Sequence, residues 1–116
     1  MTENPLKQRR YPRIPANYRL LVQKIDEQKT PRFSTARVIG PGGCMFTTDH
    51  TLGEGSNLLL TILVEHNVVE VKARVVYELA KGEHEFEVGV EFLEVAPMDK
   101  AILETLFPAP NEEEGS

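Results

Sequence analysis

Apolar and polar residues alternate with a period of two along much of this chain, a pattern typical of half-buried β-strands. The alternation is clearest over residues 69–77, where the polar face carries Glu70, Lys72 and Arg74. The apolar face there consists of Val69, Val71, Ala73, Val75 and Tyr77. Residues 86–93 repeat the pattern, with Phe86, Val88, Val90 and Phe92 on one side. Both stretches are therefore predicted as strands with one buried face.

Six segments have strand-like composition or alternation in this sequence: 18–25, 33–39, 44–48, 57–65, 68–79 and 86–93. Turn signals separate them, at the glycine-rich 40–43, at 53–56, at His66-Asn67 and at 81–83. Because no helix-length segment lies between the strands, the order favours a small antiparallel barrel or sandwich over a βαβ architecture.

One helix is predicted near the C-terminus. Pro97-Met98-Asp99 starts it, and the chain reaches Pro108 eleven residues after Pro97. Its apolar stripe comprises Met98, Ile102 and Leu106, with Leu103 and Phe107 alongside. We expect this stripe to hold the helix against the barrel.

The chain has 116 residues, which suits a single domain. Residues 1–17 contain three prolines and no apolar periodicity, so they are predicted to form a flexible, basic lead-in. The barrel and its helix would occupy 18–107. Prolines, glutamates and a final Gly-Ser predict a disordered acidic tail over 108–116.

Charge is distributed unevenly along the chain, whose formal net charge is −5. Residues 1–37 hold nine basic and three acidic side chains, whereas 38–116 hold four basic and fifteen acidic ones. The negative overall charge argues against nonspecific binding to a nucleic acid polymer, which is itself negatively charged. We expect an anionic ligand to bind instead to the basic N-terminal part of the chain.

Known enzyme motifs are absent from the sequence, which indicates a binding protein rather than an enzyme and predicts no cofactor. The histidines His50, His66 and His84 lack the close spacing of a metal site and are expected in exposed loops. Cys44 follows two glycines in a short apolar strand, where a small buried hydrophobe is favoured over a reactive thiol. With one cysteine, no signal peptide and no apolar run long enough to cross a bilayer, we expect a cytoplasmic protein without a membrane span.

The lead-in contains the segment Gln8-Arg9-Arg10-Tyr11-Pro12-Arg13. Three guanidinium groups within five residues could converge on one anion, because each offers a planar fork for phosphate oxygens and a flat face for a base. A merely solvated basic tail is the alternative. The glycine turn at 40–43 is similarly open to two interpretations, a simple hairpin or a place where a ligand approaches the backbone.

Taken in order, these elements resemble the PilZ domain family, bacterial receptors for the second messenger cyclic di-GMP. The resemblance covers about residues 8–107. It begins with the family's RxxxR motif, here Arg9 to Arg13, just before the first strand. It continues with the second motif, Asp/Asn-x-Ser-x-x-Gly, at 38–43, and ends with VGVEF at 88–92 and the helix. It implies a six-stranded antiparallel barrel with one C-terminal helix.

The resemblance also implies a ligand site. Arg9 and Arg13 would contact phosphate and guanine, with Arg10 and Gln8 as weaker candidates, and Val38, Gly40 and Gly43 would border the ligand from the barrel. Of the second motif's defining positions only Gly43 is retained, since Val38 replaces the Asp/Asn and Gly40 the serine. Losing both side chains would weaken binding by about a hundredfold or more.

These features leave three functions to distinguish. The favoured one is a non-enzymatic receptor that binds cyclic di-GMP, orders its arginine segment and passes the signal to a protein partner in motility, pilus or polysaccharide control, as a monomer or weak dimer. A degenerate PilZ adaptor without nucleotide binding is the alternative. A single-stranded nucleic-acid binder is weakened by the glutamates on the strands.

Overall fold

The computed structural model describes residues 14–25 and 30–107. It contains six strands: β1 (Ile14–Lys24), β2 (Arg32–Gly40), β3 (Gly43–Thr48), β4 (Asn57–Val64), β5 (Asn67–Gly82) and β6 (Glu85–Val95). One helix, α1 (Pro97–Glu104), follows them. All strand pairs are antiparallel and close into a barrel in the order β1-β2-β3-β6-β5-β4. The predicted fold class is therefore confirmed.

The alternating strands build the core as their sequence indicates. On β5 the inward face Val69, Val71, Ala73 and Val75 is buried, and Tyr77 is half-buried. Phe46, Leu60 and Ile62 from β3 and β4 are also fully buried. Burial of apolar surface from every strand is the main favourable contribution to folding. Among the described residues, no polar or charged residue is buried.

Helix α1 packs on the barrel through part of its predicted stripe. Leu103 is 2% exposed and joins the core, while Ile102, Leu106 and Phe107 pack partly buried against it. Met98 is 76% exposed, so its assignment to the buried stripe is wrong. The helix has eight residues and contacts mainly β5. The predicted apolar stripe therefore includes positions, such as Met98, that do not face the barrel.

Three predicted boundaries are also corrected. β1 begins at Ile14, so residues 14–17 belong to a strand and not to a flexible lead-in. The β4–β5 turn is Glu65-His66, because Asn67 pairs with Val64. β5 and β6 extend to a turn at 83–84, since Gly82 pairs with Glu85.

Pro15 explains why β1 was predicted too short. A proline removes a ladder donor and usually signals a break, but strands tolerate it at bulges. Here the register between β1 and β2 shifts between Pro15 and Tyr18. The remaining lead-in, 1–13, and the tail, 108–116, lie outside the described residues.

Candidate ligand site at the β2–β3 hairpin

The glycine-rich segment forms the hairpin between β2 and β3. Gly40 pairs with Gly43, which leaves Pro41 and Gly42 as the two turn residues. The Phe92 N–H donates to the Gly42 carbonyl at 2.9 Å and so joins the turn to β6. A β-carbon placed at Gly42 would meet nothing within 4 Å, so the space over the turn is open.

Gly43 sits in the opposite environment. A β-carbon there would lie 2.2 Å from the carbonyl oxygen of Val90, far inside contact distance. The close approach of β6 therefore requires glycine at this position. Packing alone is a sufficient reason for Gly43, whatever the turn binds.

The other two second-motif positions offer no polar side chain. Val38 is half-buried and pairs with Pro15 on β1 and Met45 on β3, so an apolar row crosses three strands here. Gly40 is buried, and it is not among the described glycines with positive φ, Gly53 and Gly55. A serine at position 40 would therefore not be strained by a left-handed backbone.

The chain enters the barrel beside this hairpin. Ile14, the first residue of β1, pairs with Ile39, inside the second-motif segment. The predicted site residues Gln8, Arg9, Arg10 and Arg13 lie outside the described residues. The structure thus brings Val38, Gly40 and Gly43 together next to the start of β1.

A β-bulge adjoins the site on β2. The register between β2 and β3 shifts between Ala36 and Val38, which leaves Arg37 as the extra residue. Arg37 is exposed, and among the described residues it has no ion-pair partner. Bulges commonly redirect a side chain beside a functional site.

An ion pair compensates the carboxylate that lies across the sheet from Gly43. Glu91 pairs across the sheet with Gly43, and Arg74 on β5 donates a charge-assisted hydrogen bond to its carboxylate. Without Arg74, that carboxylate would repel an anionic ligand at the turn. Periodicity alone does not predict this ion pair, because it depends on the pairing of β5 with β6 that sets Arg74 opposite Glu91.

Cys44 and the three histidines lie in the environments that the sequence predicts for them. Cys44 is buried, and burial raises the pKa of its thiol to about 12, as expected of a small core residue. His50, His66 and His84 are exposed outside the strands and helix. Asp49 accepts a hydrogen bond from His50 at 2.7 Å, which together with Arg32 lowers the pKa of Asp49. Within residues 14–25 and 30–107, no group of side chains suits a metal ion and no helix is long and apolar enough to span a membrane.

The sequence model of the PilZ domain family matches residues 7–107 of this chain. The chain belongs to the PilZ domain family. The match spans the RxxxR segment, the second motif and α1, so it includes every candidate site residue. None of the curated proteins matches the chain in sequence.

Solved structures with this PilZ fold agree. The Bacillus subtilis inhibitor of motility MotI superimposes with a TM-score of 0.72 at 20% identity, covering 86% of this chain and 49% of MotI. YcgR from Escherichia coli, in complex with c-di-GMP, gives 0.68 at 19% identity, covering 85% of this chain and 44% of YcgR. MrkH from K. pneumonia, also with c-di-GMP, gives 0.66 at 16% identity, covering 85% and 50%. The chain thus spans about half the length of these proteins, and the likeness establishes the fold.

Proposed function

We propose that this PilZ domain is a non-enzymatic receptor for cyclic di-GMP. The carrying observation is the pairing of Ile14, the residue that follows the RxxxR segment in sequence, with Ile39 inside the second-motif segment. This pairing supports a site shared by the two motifs, which are about 25 residues apart in sequence. The solved c-di-GMP complexes of YcgR and MrkH, which share this fold, support the choice of ligand.

The arginines would supply most of the binding energy. Cyclic di-GMP carries two phosphates, and hydrogen bonds between guanidinium and phosphate are charge-assisted and often bidentate. Arg9 and Arg13 take this role, with Arg10 and Gln8 as secondary contacts. The open space above Gly42 lets the ligand approach the hairpin backbone, and Arg74 neutralises the nearby Glu91.

The second motif of this chain contributes fewer hydrogen bonds to the ligand than the family's Asp/Asn-x-Ser-x-x-Gly pattern would. Val38 and Gly40 border the ligand without offering a hydrogen bond, and Gly43 acts by letting β6 approach. Binding therefore depends on the arginines more strongly than in a domain with an intact second motif.

Titration calorimetry with cyclic di-GMP is the deciding experiment. Arg9→Ala and Arg13→Ala should each weaken binding about tenfold or more and leave the melting temperature of the ligand-free protein nearly unchanged. Lys7→Ala is the matched control, since it removes a cation from the same segment outside the motif. Unchanged affinity in both arginine variants would overturn the assigned site.

A gain-of-binding variant tests the second motif independently. Val38→Asp restores a carboxylate at the start of the motif and should tighten binding several-fold, since one net hydrogen bond contributes about 1 kcal/mol. Gly40→Ser added to it should bring the gain to about tenfold or more. Equal or weaker binding by a normally folded Val38→Asp protein would show that position 38 does not face the nucleotide.

Signal transfer would follow from ordering of the arginine segment. A bound dianion would fix residues 8–13 over the barrel, and a cytoplasmic protein partner in motility, pilus or polysaccharide control would bind the new surface.

The degenerate adaptor is the second candidate, favoured by Val38 and Gly40. Absence of heat in the wild-type titration, together with gain of binding in Val38→Asp, would select it.

A further inference from the structure

One side of the barrel, formed by β4, β1 and β2, carries no acidic residue. These three strands are neighbours in the barrel order, and neither aspartate nor glutamate occurs in any of them. By contrast, β5 carries two glutamates and β6 carries four. The barrel therefore has two sides of different charge. We call the outward-facing residues of the acid-free strands the β4–β1–β2 wall.

Strand register places apolar side chains close together on this wall. Leu21 of β1 pairs with Phe33 of β2 on one side and with Thr61 of β4 on the other. Leu63 lies two residues further along β4 and therefore on the same face as Thr61. Phe33 is 64% exposed and Leu63 is 41% exposed. Helix α1 contacts mainly β5, so it leaves both side chains in solvent.

Two arginines flank these apolar residues. The guanidinium of Arg19 lies 5.1 Å from the centroid of the Phe33 ring, a cation–π contact that holds the aromatic in place. Arg37 is exposed at the β2 bulge, further along the strand from Phe33. No carboxylate on the three strands of the wall offsets either charge. The wall thus combines exposed apolar surface with positive charge.

This composition indicates a protein as the partner. Aromatic and arginine side chains with few other charges are typical of the centre of protein–protein interfaces. A single-stranded nucleic acid stacks on several aromatics, whereas Phe33 is the one exposed aromatic on these described strands. Anionic membranes are bound by clusters of about four to eight lysines and arginines, and the wall presents only Arg19 and Arg37.

The shape of the wall suits a helix of that partner. Since β1 pairs with β2 and β4, and β4 pairs with β1 and β5, neither strand has a free edge to which an extended peptide could add. Three strands spaced about 4.8 Å apart span roughly 10 Å, which is the diameter of an α-helix. A helix on a sheet buries its apolar stripe against the apolar residues of that sheet. Residues beside this stripe would meet Arg19 and Arg37, so electrostatic complementarity requires them to be acidic.

We propose that the β4–β1–β2 wall is a docking surface for an acidic amphipathic helix of a partner protein. Leu21, Phe33 and Leu63 contact the apolar stripe of that helix, and the two arginines pair with its carboxylates. The hairpin at residues 40–43 is not part of the wall, so the helix docks with or without cyclic di-GMP.

A synthetic helix serves as the probe. It is an acetylated, fluorescein-labelled peptide of about 18 residues, or five turns, with leucine on one face and glutamate on the others. At low salt, fluorescence anisotropy should give a Kd of about 100 μM or tighter. The same peptide with glutamine in place of each glutamate should bind about tenfold more weakly or worse. In ¹⁵N NMR spectra, the amide shifts caused by the peptide should lie on β1, β2 and β4.

Protein variants locate the binding site. Phe33→Ser and Arg37→Glu should each raise the peptide Kd about tenfold or more, with little change in melting temperature because both side chains are exposed. Lys100→Glu is the matched control, since it makes the same charge change as Arg37→Glu on α1, and it should leave the Kd unchanged. The double variant Arg9→Ala/Arg13→Ala should also bind the peptide normally, which excludes capture by the basic N-terminal segment.

Several results would overturn the proposal. They are absence of peptide binding up to about 1 mM, equal affinity for the glutamine peptide, shifts confined to β3, β5 and β6, or unchanged affinity in both Phe33→Ser and Arg37→Glu. Binding to phosphatidylglycerol vesicles that Phe33→Ser abolishes, with no peptide binding, would assign the wall to a membrane surface instead. Peptide binding by a protein that gives no heat with cyclic di-GMP would contradict the nucleotide site alone and support the wall.

Discussion

At Gly43 the barrel leaves no room for a β-carbon. The obstructing atom is a backbone carbonyl oxygen on β6, which cannot move aside as a flexible side chain can. Gly43→Ala should therefore lower the free energy of unfolding by about 1–3 kcal/mol, the usual cost of inserting an atom into a packed region. Urea denaturation measures this directly.

Gly42→Ala provides the matched control one residue earlier. Its β-carbon would meet nothing, and Gly42 is not among the described glycines with positive φ. We expect a change within about 0.5 kcal/mol. Equal losses in the two variants would show that the hairpin itself, and not the approach of β6, requires glycine.

Cys44 gives the domain a predictable response to alkaline pH. Burial raises its thiol pKa from the ordinary 9.0 to about 12, so the unfolded chain releases this proton at lower pH than the folded barrel does. The stability linked to the neutral thiol is complete below pH 9 and is lost as pH rises from there toward 12. Cys44→Ala should show less stability loss over this range in thermal unfolding measured against pH.

Thiol labelling gives a second measurement of the same burial. An Ellman-type reagent at pH 8 should react slowly with the native protein and rapidly in denaturing urea, because the attacking species is the thiolate. Rapid reaction with the native protein at neutral pH would contradict the burial of Cys44.

At the scale of elements, Glu78 fixes the β3–β4 connection to β5. Its carboxylate accepts hydrogen bonds from the Leu52 N–H at 2.6 Å and the Gly53 N–H at 3.1 Å. Glu78→Ala would leave both donors without this partner, at a cost of about 1–3 kcal/mol. The melting temperature should fall, and amide hydrogen exchange at Leu52 and Gly53 should accelerate.

Glu83→Ala is the control for this contact, since it removes an exposed carboxylate from the β5–β6 turn. It should change neither the melting temperature nor the exchange rates at Leu52 and Gly53. Unaltered exchange in Glu78→Ala would show that the connection is held by other contacts.

Periodicity predicted the strands well where both faces are distinct and less well where pairing extends them. Residues 69–75 alternate strictly, and β5 follows the prediction there. The extension of β5 to Gly82 comes from its partner, since Gly82 pairs with Glu85 across the turn. The start of β1 was predicted too late because Pro15 suggests a break in the strand. The bulge that accommodates this proline forms between β1 and β2, and β2 is distant in sequence. Such non-local pairing is absent from a local pattern.

For the molecule as a whole, the sequence predicts the part of the site that is formed by neighbouring residues and misses the part that depends on pairing between distant strands. The hairpin at 40–43 is local, and its turn was predicted from its glycines. The compensation of Glu91 by Arg74 and the apolar row through Val38 both need the closed barrel order. The exposure of Phe33 is also missing from the sequence pattern. A phenylalanine in a strand is usually expected in the core, and only the structure shows that this side chain lies on the outer surface of the barrel.

Truncation tests how the molecule divides between barrel, helix and tail. The composition of residues 108–116 predicts that removing them changes the free energy of unfolding by less than about 0.5 kcal/mol and preserves ligand binding. Removal of everything after Ala96 should be far more damaging, since it takes Leu103 out of the core. Loss of one buried leucine side chain alone costs about 2–5 kcal/mol.

Two point variants separate loss of packing from loss of chain length. Leu103→Ala should reproduce much of the damage caused by removing α1, whereas Met98→Ala on the same helix should be nearly neutral because Met98 is exposed. Urea denaturation of the four proteins ranks them on one scale. If truncation after Phe107 destabilised the domain as much as Leu103→Ala does, residues 108–116 would be part of the packed structure, and the boundary of the domain would move to the end of the chain.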